Sequence, residues 1–184
     1  VDRQEADWAL VRRPQSTPGW IRRGDLRAFD AMPKSKAALR ESVVRAANQF
    51  LGQPYLWGGR SPHTERPTDQ ATGVDCSGLV HLAYRVNGIE IPRDAHEQWI
   101  RSCPIRPREI EPADLIFLAR SDRPDHVYHV LMSEGQDAAI EAVHEQNRVR
   151  NITFTERLGI PLQNLDPSGR TDRLVVRVGR ILGP

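Results

Sequence analysis

Cysteine is scarce in this chain, and one of its two cysteines stands where a sulfur atom could act as a nucleophile. Cys76 follows Asp75, a residue type that caps helices, and it begins a run with helical amphipathic spacing. A helix N-terminus stabilises the thiolate, which is the reactive form of cysteine. Ser77 and Gly78 are small, so a substrate could approach the sulfur. The alternative is a structural cysteine, and the local sequence alone leaves it open.

A catalytic cysteine needs a neighbouring imidazole, and the chain offers six histidines. His126 and His129 flank the start of a predicted strand, which is a rigid element for presenting a side chain. Because the strand repeat of two places them on opposite faces, only one can readily face Cys76. Together with Glu141 and His144 they could also suggest a zinc site. Their spacing lacks the helical pattern of zinc peptidases, so we expect no metal and no other cofactor.

Hydrophobic periodicity and turn signals predict the elements that position these residues. One helix is expected from Lys36, with Ser35 as its N-cap, a second from Cys76, and a short third one within residues 89–100. After Leu115 the chain changes to short β-rich runs bounded by turns. Helices followed by strands predict an α+β domain with an antiparallel sheet.

Length and composition fit one domain of ordinary size with a small appendage: 184 residues, 39% hydrophobic and 27% charged. The net charge of +2 gives no electrostatic case for a nucleic-acid partner. No apolar run is long enough to span a membrane, and the first residues lack the apolar core of a signal peptide. Two cysteines do not make a disulfide framework, so a Cys76–Cys103 bridge is not expected.

Five motifs, in order, resemble the NlpC/P60 cysteine peptidases: PYLWGG, DCSGLV, IPRDA, ADLIF and HVLMSEG. The resemblance covers about residues 36–152. It implies a papain-like α+β fold in which N-terminal helices pack on an antiparallel sheet. It also implies a cysteine endopeptidase that cleaves bacterial cell-wall peptides, commonly between γ-D-glutamate and a diamino acid.

The resemblance also selects the partners of the cysteine. The family pattern of His-Val, four residues and Gly fits from His129 but not from His126, so His129 is favoured as the general base. The family's third polar residue is usually a histidine within an Ile-His-Ala-like triplet, and Glu141 stands in that place. A carboxylate there could accept the second imidazole N–H and favour the imidazolium. The other interpretation is an ordinary charged residue on the strand, with His144 as a weaker substitute.

Further residues fall where related enzymes contact substrate: Tyr55, Trp57, Asp75, Ser77, Arg93 and Asp94. The hydroxyl of Tyr55 would lie near the thiol, and Trp57 would either wall the cleft or belong to the core. Asp94 could hold the free amine of an N-terminal L-alanine, and Arg93 could face a substrate carboxylate. Each charged residue could equally be a cap or a surface group. The backbone N–H of Cys76 is a natural oxyanion donor.

The predicted organisation is a partial SH3-like β segment over residues 1–30 and an NlpC/P60 peptidase domain over residues 31–184. The implied substrates are peptidoglycan stem peptides or muropeptides with a free N-terminal L-alanine. The implied location is the cell envelope or the exterior, with cytoplasmic peptide recycling as the alternative. Two other functions stay open: an N-acetylmuramoyl-L-alanine amidase of the same fold, and a catalytically silent wall-binding module. Glu141 in place of histidine would suit the silent module.

Overall fold

The computed structural model describes residues 1–12, 15–63 and 71–183. Contacts divide the chain into two units, Val1–Pro33 and Lys34–Pro184. Proline, glycine and short polar residues also predict a turn over residues 14–19 and a loop over residues 54–73. Residue 14 of that turn and residues 64–70 of that loop lie outside the described residues. Within the described residues, no helix has both the length and the apolar character needed to cross a bilayer.

The first unit is a small antiparallel sheet. Its strands are β1 (Arg3–Glu5), β2 (Trp8–Val11) and β3 (Gly19–Arg22), in that order. The sequence predicts a hairpin here, because apolar residues flank the turn-forming stretch PQSTPG. The pairing of Leu10 with Trp20 confirms it, and β1 is an additional strand that the sequence did not predict. The SH3-like assignment and the boundary at residue 30 stay predictions.

The second unit begins with helices that carry the predicted caps. The helices are α1 (Lys36–Asn48), α2 (Cys76–Arg85), α3 (Ala95–Arg101) and, late in the chain, α4 (Phe154–Leu158). The Ser35 hydroxyl accepts a hydrogen bond from the Ala38 N–H, which confirms the predicted N-cap of α1. Helix α2 begins at Cys76, as its pattern predicts.

A six-stranded antiparallel sheet follows the first three helices. Its strands are β4 (Cys103–Pro104), β5 (Leu115–Arg120), β6 (Arg123–Gly135), β7 (Ala138–Val143), β8 (Arg148–Thr153) and β9 (Leu174–Arg180), in the order β4-β9-β5-β6-β7-β8. Short 3-10 turns occupy Arg23–Asp25, Phe29–Ala31, Pro107–Glu109 and Leu162–Asn164. The predicted α+β class is therefore confirmed.

Strand β5 is buried on both faces, so its side chains contribute to two separate layers of the core. Leu115 and Phe117 belong to the cluster that contains α1 and α2 residues, whereas Ile116 and Leu118 belong to the cluster that contains Phe154 of α4. Successive side chains of a strand point to opposite faces of the sheet, and in β5 the residues on both faces are apolar. Each of these four side chains is fully buried, which contributes about 1.5–3 kcal/mol apiece to folding. The sheet is thus a rigid base against which α2 is held.

Candidate active site

Cys76 is the first residue of α2 and lines a cavity of about 570 Å³. The Asp75 carboxylate caps the helix, because its Oδ1 accepts a hydrogen bond of 2.7 Å from the Gly78 N–H. Gly78 has no side chain for a reason: a Cβ there would collide with the carbonyl oxygen of Gly59. The sulfur is therefore held at the helix N-terminus, whose partial positive charge favours a thiolate. Cys76 and the exposed Cys103 are both free thiols.

His129 is a buried residue of β6 that pairs with Leu118 of β5. The register between these strands shifts beside it, so Tyr128 is an extra residue in the ladder, as in a β-bulge. The pairing of β6 with β7 begins at Met132, so His129, which precedes Met132 on β6, lies outside the paired region. On one side, its imidazole lies close enough to the Cys76 thiol for that group to raise the pKa of His129. On the other side its Nε2 lies 2.7 Å from Glu141 Oε2, which leaves Nδ1 for the sulfur.

Glu141 is a fully buried carboxylate of β7 that is surrounded by cations. Arg150, its pairing partner on β8, donates to Oε1 through both Nε (3.1 Å) and Nη2 (2.9 Å). Arg157 of α4 donates to Oε2 through Nε at 3.2 Å. A buried carboxylate is tolerated when it is paired and hydrogen-bonded in this way. Neither arginine is among the residues that the sequence predicts for the site.

The electrostatics of the group favour a charged imidazole and a charged carboxylate. Burial would lower the pKa of His129, but the neighbouring Cys76 and Glu141 and the charges of both raise this pKa to about 9. Burial would raise the pKa of Glu141, but the contact with His129 and the two arginines lower it to about 2. Near neutral pH the imidazolium is therefore the favoured form of His129.

Asp75, Ser77 and Arg93 form one hydrogen-bonded wall of the cavity. Arg93 Nη2 donates to Asp75 Oδ2 at 2.8 Å and to the Gly59 carbonyl at 3.2 Å, and its Nη1 donates to Ser77 Oγ at 2.9 Å. Asp75 Oδ2 also accepts from the Gly58 N–H at 2.9 Å. The guanidinium is thus largely used inside the protein. It ties the loop that precedes Cys76 to the start of α2.

Three other predicted residues, Tyr55, Trp57 and Asp94, line the same cavity. Trp57 is 84% exposed, so the alternative that it belongs to the core is wrong. Burial, together with the charges of Cys76 and Asp75, raises the pKa of Tyr55 to about 12, so its hydroxyl stays a hydrogen-bond donor. Asp94 is exposed at the N-cap of α3 and makes no side-chain cap hydrogen bond, so its carboxylate is available to a ligand.

The structure brings His126 and His96 together on a further part of the cavity wall. Their ring centroids are 5.0 Å apart, and the ring planes are tilted by 36°. From the sequence, His126 is an alternative general base, yet it is His129 that lies beside the sulfur and the carboxylate. His144, which the zinc alternative included, packs edge-on against Tyr55. Among the described residues no group of three or more His, Cys, Asp and Glu could hold a metal ion.

Sequence and structure comparisons agree on one relationship. Residues 52–163 match the sequence profile of the NlpC/P60 family. A γ-D-glutamyl-L-lysine dipeptidyl-peptidase of Bacillus cereus is 28% identical over 142 residues, which are 77% of this chain and 40% of that protein. The chain therefore spans less than half of this curated relative.

Two solved structures share the fold. The first is an NlpC/P60 family protein from Bacillus cereus, with a TM-score of 0.71 and 25% identity, covering 98% of this chain and 52% of that one. The second is the peptidoglycan hydrolase RipB from Mycobacterium tuberculosis, with a TM-score of 0.62 and 28% identity, covering 84% of this chain and 71% of that one. The profile match extends over more than half of the chain and includes the cysteine, the histidine and the glutamate just described, so the chain belongs to the NlpC/P60 family.

Proposed function

We propose that this protein is a cysteine endopeptidase that hydrolyses bacterial cell-wall peptides at the γ-D-glutamyl–diamino acid bond. The observation that carries the proposal is the chain of contacts from the Cys76 thiol through His129 to Glu141, beside a cavity of about 570 Å³. The names of the relatives support the substrate class, since they include a γ-D-glutamyl-L-lysine dipeptidyl-peptidase and a peptidoglycan hydrolase. We propose that it acts in the cell envelope or outside the cell, with cytoplasmic peptide recycling as the alternative.

In the proposed mechanism, His129 has already taken the proton of Cys76 before the substrate binds, and the resulting thiolate attacks the scissile carbonyl carbon. The negative charge that develops on the carbonyl oxygen is held by the backbone N–H of Cys76, with the Tyr55 hydroxyl as a second donor. The imidazolium then returns its proton to the leaving amine, and a thioester remains on the sulfur. Water, deprotonated by His129, cleaves that thioester and releases the γ-glutamyl carboxylate and the free thiol.

Glu141 has the role that carboxylates have in other catalytic triads. Its Oε2 accepts the Nε2–H of His129, which fixes the orientation of the ring and stabilises its positive charge. Arg150 and Arg157 keep the buried carboxylate ionised, so a glutamate can work where the family usually has a histidine. This support argues against the silent wall-binding alternative, because a ring held only for binding would need no such charge network.

The cavity also suits a short peptide with a free amino terminus. Asp94 offers a carboxylate to the N-terminal ammonium of L-alanine, and the exposed indole of Trp57 offers an apolar wall. We propose that Asp75, Ser77 and Arg93 shape this site mainly through one another, because their polar atoms are joined by hydrogen bonds. They hold the loop and the helix start that face the substrate.

Incubation with the peptide L-Ala-γ-D-Glu-diamino acid, followed by mass spectrometry of the products, tests the proposal. We expect release of L-Ala-γ-D-Glu, loss of release in Cys76→Ala, and unchanged release in the control Cys103→Ala. Thermal melting of both variants checks that the fold is retained. Release by Cys76→Ala at the wild-type rate would contradict the mechanism. Release of an intact stem peptide from N-acetylmuramoyl peptides would instead identify an amidase, and binding without cleavage would identify a wall-binding module.

A further inference from the structure

The ionisable side chains that line the cavity beside Cys76 differ in whether a partner within the protein already binds them. Two carboxylates that line it, Asp94 and Glu97, are exposed. The guanidinium of Arg93 also lines it, but Asp75 already neutralises that charge at 2.8 Å. Among the described lining residues, the remaining basic side chains are His96 and His126.

The hydrogen bonding of His96 fixes which of its ring atoms can serve a ligand. The backbone N–H of Val127 donates to Nδ1 of His96 at 3.3 Å, so this nitrogen is an acceptor. A neutral imidazole with an accepting Nδ1 carries its hydrogen on Nε2, and that N–H is a donor. His126 is exposed and lies next to this ring, with 5.0 Å between the centroids. Two imidazoles, each of which carries an N–H donor, therefore lie side by side on the cavity wall.

We propose that the His96–His126 pair binds a carboxylate of the substrate next to the scissile bond. The proposal rests on the proposed function, because the bond cleaved there has such groups on both sides. A γ-linked glutamyl residue keeps its α-carboxylate free, and the diamino acid carries a carboxylate of its own. N–H donors that converge on a carboxylate select it over the neutral amide, which presents hydrogens of its own. The pair therefore makes the enzyme prefer peptides whose carboxylate is free over amidated ones.

Four synthetic peptides test the assignment: L-Ala-γ-D-Glu-diamino acid, its D-isoglutamine form, its diamino acid amide, and the doubly amidated form. We expect the wild-type protein to prefer one free carboxylate over its amide by roughly 10- to 100-fold in kcat/KM, as for hydrogen bonds to a charged group. The amide that causes the loss identifies which carboxylate is bound. In His126→Phe, which keeps a ring beside His96, the preference should shrink to near unity while the amidated peptide is still cleaved.

A second variant and a control complete the experiment. His96→Phe should lose the same preference, and the control His63→Phe, whose side chain bonds Thr72 away from the cavity lining, should keep it. Equal cleavage of free and amidated peptides by the wild-type protein would overturn the carboxylate assignment alone. Retention of the preference in folded His126→Phe would overturn it as well. Failure to cleave any of the four peptides in a Cys76-dependent way would instead refute the proposed function, and this assignment with it.

Discussion

Replacing Glu141 by glutamine removes the negative charge beside His129 and leaves the shape of the side chain nearly unchanged. The amide oxygen can still accept the Nε2–H that now lies 2.7 Å from Oε2. A nearby opposite charge shifts a pKa by about 1–3 units, and the hydrogen bond that glutamine keeps places the loss near the lower end, at about 1–2 units. The pKa of His129, which the contacts with Cys76 and Glu141 raise to about 9 against the effect of burial, should therefore fall to about 7–8.

Activity that needs the imidazolium is lost as pH rises through the pKa of His129. The wild-type protein should lose activity around pH 9, and Glu141→Gln should lose it around pH 7–8. At pH 8.5 the variant should therefore retain roughly a tenth of the activity that it shows on its own plateau at lower pH. The assay is kcat/KM for the γ-D-glutamyl peptide from pH 5 to 10. Glu134→Gln is the matched control, because Glu134 also lies on the sheet but bonds Asn48 and Asn151 instead. An alkaline limb at the same pH in Glu141→Gln and wild type would refute the reasoning.

The same substitution should lower stability, since Arg150 and Arg157 lose their buried partner. Their side chains are 27% and 23% exposed, so partial solvation places the cost near the lower end for a broken buried pair, about 3 kcal/mol. The contacts that hold the pKa of Glu141 at about 2 stabilise the wild-type fold above about pH 4.5, and this contribution is lost as pH falls through about 2. Urea unfolding at several pH values should show that acid loss in the wild type and a smaller one in Glu141→Gln.

Three further substitutions separate positioning from packing. Arg157→Gln should move the alkaline limb down by less than Glu141→Gln does, because Arg150 still pairs with the carboxylate, and a pH profile of kcat/KM checks this. Trp57→Ala should raise KM and leave the melting temperature within about 1 °C, since the indole is 84% exposed; peptide kinetics and calorimetry measure both. Gly78→Ala should destabilise the fold by about 1–3 kcal/mol in urea unfolding, because its Cβ meets the Gly59 carbonyl, whereas Gly24→Ala, which meets open space, should not.

The sequence predicted the start of α2 because the signals there are local. Asp75 is a typical N-cap residue, and the apolar residues that follow have helical spacing. Gly78 has no Cβ that would collide with the Gly59 carbonyl. Strand β6 was also visible as a β-rich run, and the family pattern favoured His129 over His126. The structure places His129 against both the thiol and Glu141. The catalytic roles stay predictions until they are measured.

What could not be predicted depends on contacts between distant segments. Arg157 lies on a short helix beyond β8, and no local pattern in the sequence directs it to Glu141. The sequence contains a weak indication of the contact between Arg150 and Glu141, because a hairpin with a turn at residues 144–147 pairs these two residues. The hydrogen bond between Arg93 and Asp75 also depends on the tertiary fold, since 18 positions separate the two residues. The partners of a buried charge are determined by the tertiary fold, and hydrophobic periodicity in the sequence carries no information about them.

The most direct test of the central claim is the pH dependence of alkylation at Cys76, because the chain contains its own control. An ordinary thiol is only about 0.3% ionised at pH 6 and reacts slowly with iodoacetamide. Peptide mapping after brief treatment at pH 6 should find Cys76 labelled well before Cys103, although Cys103 is exposed and Cys76 is buried. In His129→Ala this preference should disappear. Faster labelling of Cys103 than of Cys76 in the wild-type protein, unchanged in His129→Ala, would contradict a thiolate held by His129.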